Sequence, residues 1–360
     1  MMTRASVVAA SLALISAMPV LCQAAPDTAV GSRFSHGDWE LACDNTRTCR
    51  AAGYQSDNDT QAPVSVLLTR LAGPHQPVSA QLQLGNYSND DLFAGLPSTL
   101  RLSMTIDGKS AGTVTMTRDN LVSDLSPAQV DAMMKALTGR GAVRWTVGKV
   151  KWELSGSGAT ATLLKMDELQ GRVGTPGALV RKGTLPEAGV LPPVPTPAVN
   201  MATLPKEAST PITLSASQAR SILKALQPTD ACKSPADLGA PENVLTAYRF
   251  PSGQLLVSAQ CWTAAYNTGD GYWLMRDKPP YDPVLITDSA TDYSSGTITA
   301  AQKGRGLGDC WGEESWGWNG KMFQPTRVSS TGMCKLIAPG GAWELPTLVT
   351  SVRGSAAPKK

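Results

Sequence analysis

The sequence predicts a mainly β fold, a β-rich α+β protein with two antiparallel β domains. Each domain carries one or two short helices, and a Pro-rich linker joins them. Three observations carry this expectation. Short β-branched or alternating runs recur along the chain, punctuated by turn dipeptides such as Asp107-Gly108 and Asn319-Gly320. Helical periodicity with a start signal occurs at only two places. Residues 186–211 hold seven prolines, a density that sustains neither a helix nor a central strand.

The first 24 residues read as a secretory signal peptide: Arg4 supplies the one charge, residues 5–21 carry none, and Ala24 ends a small-residue cleavage site. An uncleaved anchor would need a longer apolar run, about 20 residues. No later stretch is long and apolar enough to span a bilayer, so no membrane span is expected after cleavage. The mature chain then contains six cysteines: Cys43, Cys49, Cys232, Cys261, Cys310 and Cys334. An even count in an exported chain reads as three disulfides, for which 15 pairings exist. Proximity favours 43–49, 232–261 and 310–334. The expected compartment is periplasmic or secreted.

The first domain is expected over residues 34–185. Strands are read at 64–71, 78–84, 100–106, 113–117, 143–147 and 150–154, and residues 159–166 are read as the returning strand of a second hairpin. One helix interrupts them: Ser126 caps, Pro127 takes the first helical position, and Gln129 completes a capping box. Val130, Met133, Met134 and Leu137 share its buried face, and Gly139 ends it. The linker occupies 186–211. The second domain, 212–352, opens on the same grammar, with Ser215 and Gln218 before Ala219, Ile222, Leu223 and Leu226. That similarity reflects either a duplication or two helices that start with the same cap. Strands follow at 255–259, 272–275 and 284–286, and a hairpin turns at Asn319-Gly320 between Trp318 and Met322. Residues 353–360 are a tail.

The segment Asp38-Trp39-Glu40-Leu41-Ala42-Cys43-Asp44-Asn45, with Arg47-Thr48-Cys49 and Gly53-Tyr54, resembles the opening of a bacterial periplasmic family called domain of unknown function 1176. Asp167-Glu168-Leu169-Gln170-Gly171-Arg172-Val173, Ala265-Tyr266-Asn267, Arg305-Gly306-Leu307-Gly308-Asp309-Cys310 and Trp316-Gly317-Trp318-Asn319-Gly320 extend the likeness, in order, over nearly the whole mature chain. The resemblance implies export and paired cysteines, and no reaction. Trp311 departs from it, where a glycine is expected. The opening motif alone is also similar to invasion-associated locus B proteins.

Catalysis has little to draw on. His36 and His75 sit in no nucleophile or metal pattern, and no hydrolase, zincin or phosphate-loop motif occurs. No C-x-x-C pair exists, so no metal and no cofactor are expected. A net charge of +2 after loss of Arg4 excludes an electrostatic case for nucleic acid. The non-random feature is aromatic: six of nine tryptophans and five of seven tyrosines follow residue 231. The expected function is therefore a non-enzymatic binding or interaction protein, with a protein or an envelope glycan as partner. Its candidate residues are Tyr266, Asp270, Arg305, Asp309, Glu313, Trp316 and Trp318, with the tryptophans either a binding platform or core. Two alternatives stand beside it. One is a cell-envelope glycan hydrolase using paired carboxylates among Asp270, Asp309 and Glu313. The other is an inhibitor of a lysozyme-like glycosidase that presents a disulfide-clamped loop.

Overall fold

The computed structural model describes residues 30–59, 61–87, 90–139, 141–226, 232 and 245–354. The expected signal peptide and Pro228, expected to end the helix that Ser215 caps, lie outside them. In chain order the first half runs β1 (Ser32–His36), β2 (Trp39–Cys43), β3 (Cys49–Tyr54), β4 (Val64–Arg70), β5 (Val78–Leu84), β6 (Thr99–Ile106), β7 (Lys109–Thr117) and β8 (Val122–Asp124). Helix α1 (Pro127–Gly139), β9 (Val143–Val147), β10 (Val150–Leu154) and helix α2 (Ala159–Leu169) complete it. Two sheets result, in the orders β1-β2-β3-β4-β5-β8 and β10-β9-β6-β7. All their pairings are antiparallel.

Alternation drives the packing. Trp39, Leu41, Leu68 and Leu82 project from the first sheet onto Leu100, Leu102, Trp145 and Trp152 of the second, and Met133, Leu163 and Met166 close the core from the helices. The α1 cap forms as the sequence predicts: the Ser126 amide donates to Gln129 Oε1 at 2.9 Å, and the Gln129 amide donates to Ser126 Oγ at 3.4 Å. One expectation is corrected. Residues 159–166 belong to helix α2, not to a strand, and the hairpin closes one step earlier between β9 and β10. Ala159, Leu163 and Met166 fall at helical spacing and are buried, a period of 3.6 rather than 2. Gly158, with φ +93°, redirects the chain into the helix.

The second half contains β11 (Ala198–Asn200), α3 (Ala216–Ala225), β12 (Thr246–Arg249), β13 (Gln254–Thr263), β14 (Thr268–Arg276) and β15 (Val284–Ala290). It continues with β16 (Asp292–Ser294), β17 (Thr297–Lys303), β18 (Trp311–Trp318), β19 (Phe323–Ser330), β20 (Leu345–Val349) and β21 (Ser351–Arg353). Its sheets run β12-β13-β14-β15 and β16-β17-β18-β19-β20, while β11 and β21 pair in parallel. Ser215 and Gln218 form the expected capping box on α3. All three cysteine pairs join as proximity favours: Cys43 with Cys49, Cys232 with Cys261, and Cys310 with Cys334.

The Pro-rich segment is anchored at both ends. Leu191 donates to the Gln170 carbonyl at 3.1 Å and accepts from the Gly73 amide at 2.9 Å, on the first half. Met201 donates to Arg353 O at 2.7 Å and Ala202 to Trp318 O at 2.9 Å, on the second. The halves also meet directly. Tyr54, Leu67, Ile337 and Leu345 are buried together, with Met333 and Trp343 packed against them. Trp343 Nε1 donates to Ser65 Oγ at 2.7 Å, and Lys335 Nζ to Asp38 Oδ1 at 2.7 Å.

Candidate functional site

The expected site residues divide between two places on the second half. Trp318 is interior, 2% exposed, with its ring centroid 4.6 Å from that of Phe250 and 5.4 Å from that of Phe323. This corrects its candidacy for a binding platform: an indole enclosed by rings has no face left for a partner. Trp316 is half-buried against the same aromatic core. The two tryptophans share a strand face, as their spacing requires, and that face is turned mostly inward.

The other place is the loop between β17 and β18. Here Arg305 grips Asp309 in a bidentate pair, Nε to Oδ1 at 2.7 Å and Nη2 to Oδ2 at 2.5 Å, while the Leu336 amide donates to Oδ2 at 2.8 Å. Burial alone would raise the Asp309 carboxyl, but the Arg305 guanidinium and the Leu336 amide outweigh it and hold the group below its usual range. The loop is fixed on every side. The Cys310–Cys334 disulfide closes its base, and a Cβ on Gly304 would stand 2.6 Å from Cys310 Sγ, so only glycine fits there. Asn267 exchanges hydrogen bonds with the Lys303 backbone at 2.8 and 2.9 Å. Lys303 Nζ lies 5.4 Å from the Trp311 ring centroid, and Trp311 Nε1 donates to Gly308 O at 3.0 Å. Tyr87, from the first half, donates its hydroxyl to the Leu307 carbonyl.

What this frame holds outward is apolar. Tyr266, whose ring lies beside Gly306, is 46% exposed, and Leu307 is 55% exposed. The structure thus brings Tyr266, Arg305 and Asp309 together. Asp270 sits on β14, half-buried, its carboxyl raised by desolvation. Glu313 sits on β18 and lies 3.9 Å from Arg327, and no contact joins it to Asp270 among the described residues. Asp309, Cys310 and Cys334 place three potential ligand atoms near one another, but both sulfurs are tied in the disulfide and offer no thiolate. Reasoning from sequence misses Leu307, Lys303 and Tyr87. Trp311 was visible only as a departure from the family pattern, and it is this indole that covers Lys303 and staples Gly308.

The chain belongs to the family described as "Protein of unknown function (DUF1176)", whose profile matches residues 33–350. It is similar to the uncharacterized protein YpfG of Escherichia coli (strain K12), 24% identical over 335 residues, which span 86% of this chain and 90% of the relative. No solved structure matches. The likeness of the opening motif to invasion-associated locus B proteins stays a likeness of that motif alone.

Proposed function

We propose that this member of the family is a non-enzymatic binding protein of the cell envelope, and that it contacts a protein partner through the loop between β17 and β18. The carrying observation is the combination of rigidity and exposure: a disulfide, an ion pair from the partly exposed Arg305 to the buried Asp309 and a cation–π contact frame a loop that leaves Tyr266 and Leu307 out to solvent. A surface ordered before binding loses little entropy on association, and aromatic and aliphatic anchors contribute most where they enter a partner's pocket. Three disulfides support an oxidising compartment, periplasmic or external. The hydrolase alternative has less support, because Asp309 is committed to Arg305 and held ionised, which suits neither a proton donor nor a mobile base.

The test is affinity capture from periplasmic extract with the mature protein and with a Tyr266→Ala, Leu307→Ser variant. Truncating an interface anchor costs about 2 kcal/mol or more, roughly thirtyfold in affinity. The variant is expected to lose the captured protein while keeping its melting temperature. Capture that survives both changes sinks the proposal.

A further inference from the structure

We propose that the Pro-rich strip at residues 190–197 is a docking ligand as well as a tie between the halves. Its outer faces fit a protein partner whose groove is lined by aromatic side chains and reads a polyproline II helix. The strip shares no residue with the β17–β18 loop. Its conformation follows from the sequence. Pro192, Pro193, Pro195 and Pro197 have φ locked at about −65°. Leu191, Pro192, Val194 and Thr196 each precede a proline and are thereby kept out of the helical region. Val190 leads in with φ −66° and ψ 135°, polyproline II values, and residues 191–197 lie in no helix or strand.

Such a helix turns about once every three residues, so it has three faces, and here one is used and two are free. The used face recurs with that period. The Leu191 amide donates to Gln170 O at 3.1 Å, the Val194 amide donates to Thr46 O at 3.2 Å, and Pro197 O accepts from the Ser351 amide at 2.8 Å. Val194 and Pro197 are correspondingly half-buried. Pro192, Pro193, Pro195 and Thr196, on the other two faces, are exposed. The body of the protein thus holds the strip by one edge and presents a proline ridge on the others.

A separate observation extends this surface. Leu71, Leu185 and Leu191 are exposed large apolar side chains, and all three flank the ridge. Leu185 lies over Gly174 and Leu191 over Gly171, where an added Cβ would stand 2.9 and 3.2 Å from them. Gly73, in the same loop as Leu71, donates to Leu191 O at 2.9 Å and lies beside Pro193. Exposed leucines clustered beside a rigid ridge make an apolar patch of the kind that marks an interaction site. Arg47 adds a charge: its Nη1 donates to Pro192 O at 2.8 Å, and it makes no ion pair with a described residue. The complementary partner is a groove with aromatic walls for the proline rings, apolar pockets for the leucines and an acidic group facing Arg47. Because the ridge is ordered before binding, docking costs little chain entropy.

Calorimetric titration of the protein with an isolated WW domain and an isolated SH3 domain, both readers of this helix, is the first arm of the test. At least one is expected to bind with a sub-millimolar Kd and to be displaced by decaproline, a readout that needs no variant. The Pro192→Ala, Pro195→Ala double variant is expected to bind about tenfold more weakly while keeping its melting temperature. In the second arm the immobilised protein is loaded with periplasmic extract and eluted with decaproline. A protein is expected in that eluate, absent when the double variant is immobilised and present with Tyr266→Ala, which separates the strip from the loop. No binding by either domain, no displacement by decaproline, equal binding by a folded double variant, an empty eluate, or an eluate that holds only this chain would overturn the proposal.

Discussion

Trp318 and Tyr266 lie in the same aromatic-rich half, yet they take opposite roles, and the difference is testable one residue at a time. Trp318 fills the space between Phe250 and Phe323, so Trp318→Ala leaves a large cavity and should cost about 3–5 kcal/mol. In a protein of this size that lowers the thermal midpoint by roughly ten degrees. Tyr266→Ala should leave the midpoint within a degree or two of wild type. Titration gives a second pair of opposites. Glu40 is raised by desolvation, so its stabilising contribution is present below its ordinary 4.5 and is lost as pH rises through the higher folded value. Glu40→Gln should therefore be more stable than wild type at neutral pH, with the advantage vanishing below that ordinary value. Asp309 is lowered, so its contribution is present above 3.8 and lost as pH falls through the folded value. Asp309→Asn should be less stable at neutral pH, with the gap closing in acid. Chemical denaturation at a series of pH values measures both. Composition showed that aromatics concentrate here, but burial depends on which strand face meets another sheet, and spacing alone does not reveal that.

Most single elements were legible because each signal is local. The capping boxes at Ser126 and Ser215 need only four residues to form, and Asn319-Gly320 turns a hairpin whose own side chain supplies the bonds: Asn319 Oδ1 accepts from the Lys321 and Met322 amides at 2.9 and 3.0 Å. Helix α2 reads as a strand from sequence because Gly156 and Gly158 mimic a hairpin turn, and because Ala, Thr and Leu in residues 159–164 fit either period over a short span. Burial of Met166 against the first sheet settles it as a helix. The Cys310–Cys334 bridge was legible from proximity, but its use was not: it anchors the loop that carries Leu307. Closing a loop of 24 residues is worth about 3 kcal/mol on a chain-entropy account. The Cys310→Ser, Cys334→Ser variant should melt lower and, more tellingly, should show faster amide exchange at residues 304–309 than in β13 and β14. Unchanged exchange in that loop would mean that Arg305 and Asp309 hold it without the bridge.

At the scale of the whole molecule, the division near residues 186–211 remains a proposal about folding units, and the contacts across it decide how those units behave. Sequence patterning marks where a chain is extended and Pro-rich, but it is blind to what that chain lies against. Here one end is bonded to Gln170 and Gly73 and the other to Arg353 and Trp318, so the segment ties the halves together along its length. The junction adds a buried cluster around Tyr54, Ile337 and Leu345, and Lys335 reaches Asp38 from a site that is largely shielded from water. Separating the halves would expose that apolar cluster to water and break the Lys335–Asp38 pair, and neither half recovers the lost burial alone. Two units coupled this strongly should lose structure together. Scanning calorimetry of the protein is therefore expected to give one endotherm, with its van't Hoff enthalpy close to the calorimetric one. Trp343→Ala, which removes the indole from the junction and its bond to Ser65, should lower that midpoint and broaden or split the transition. Two well-separated endotherms in the wild-type protein would show instead that each half stands on its own core and that the junction is a weak contact between independent domains.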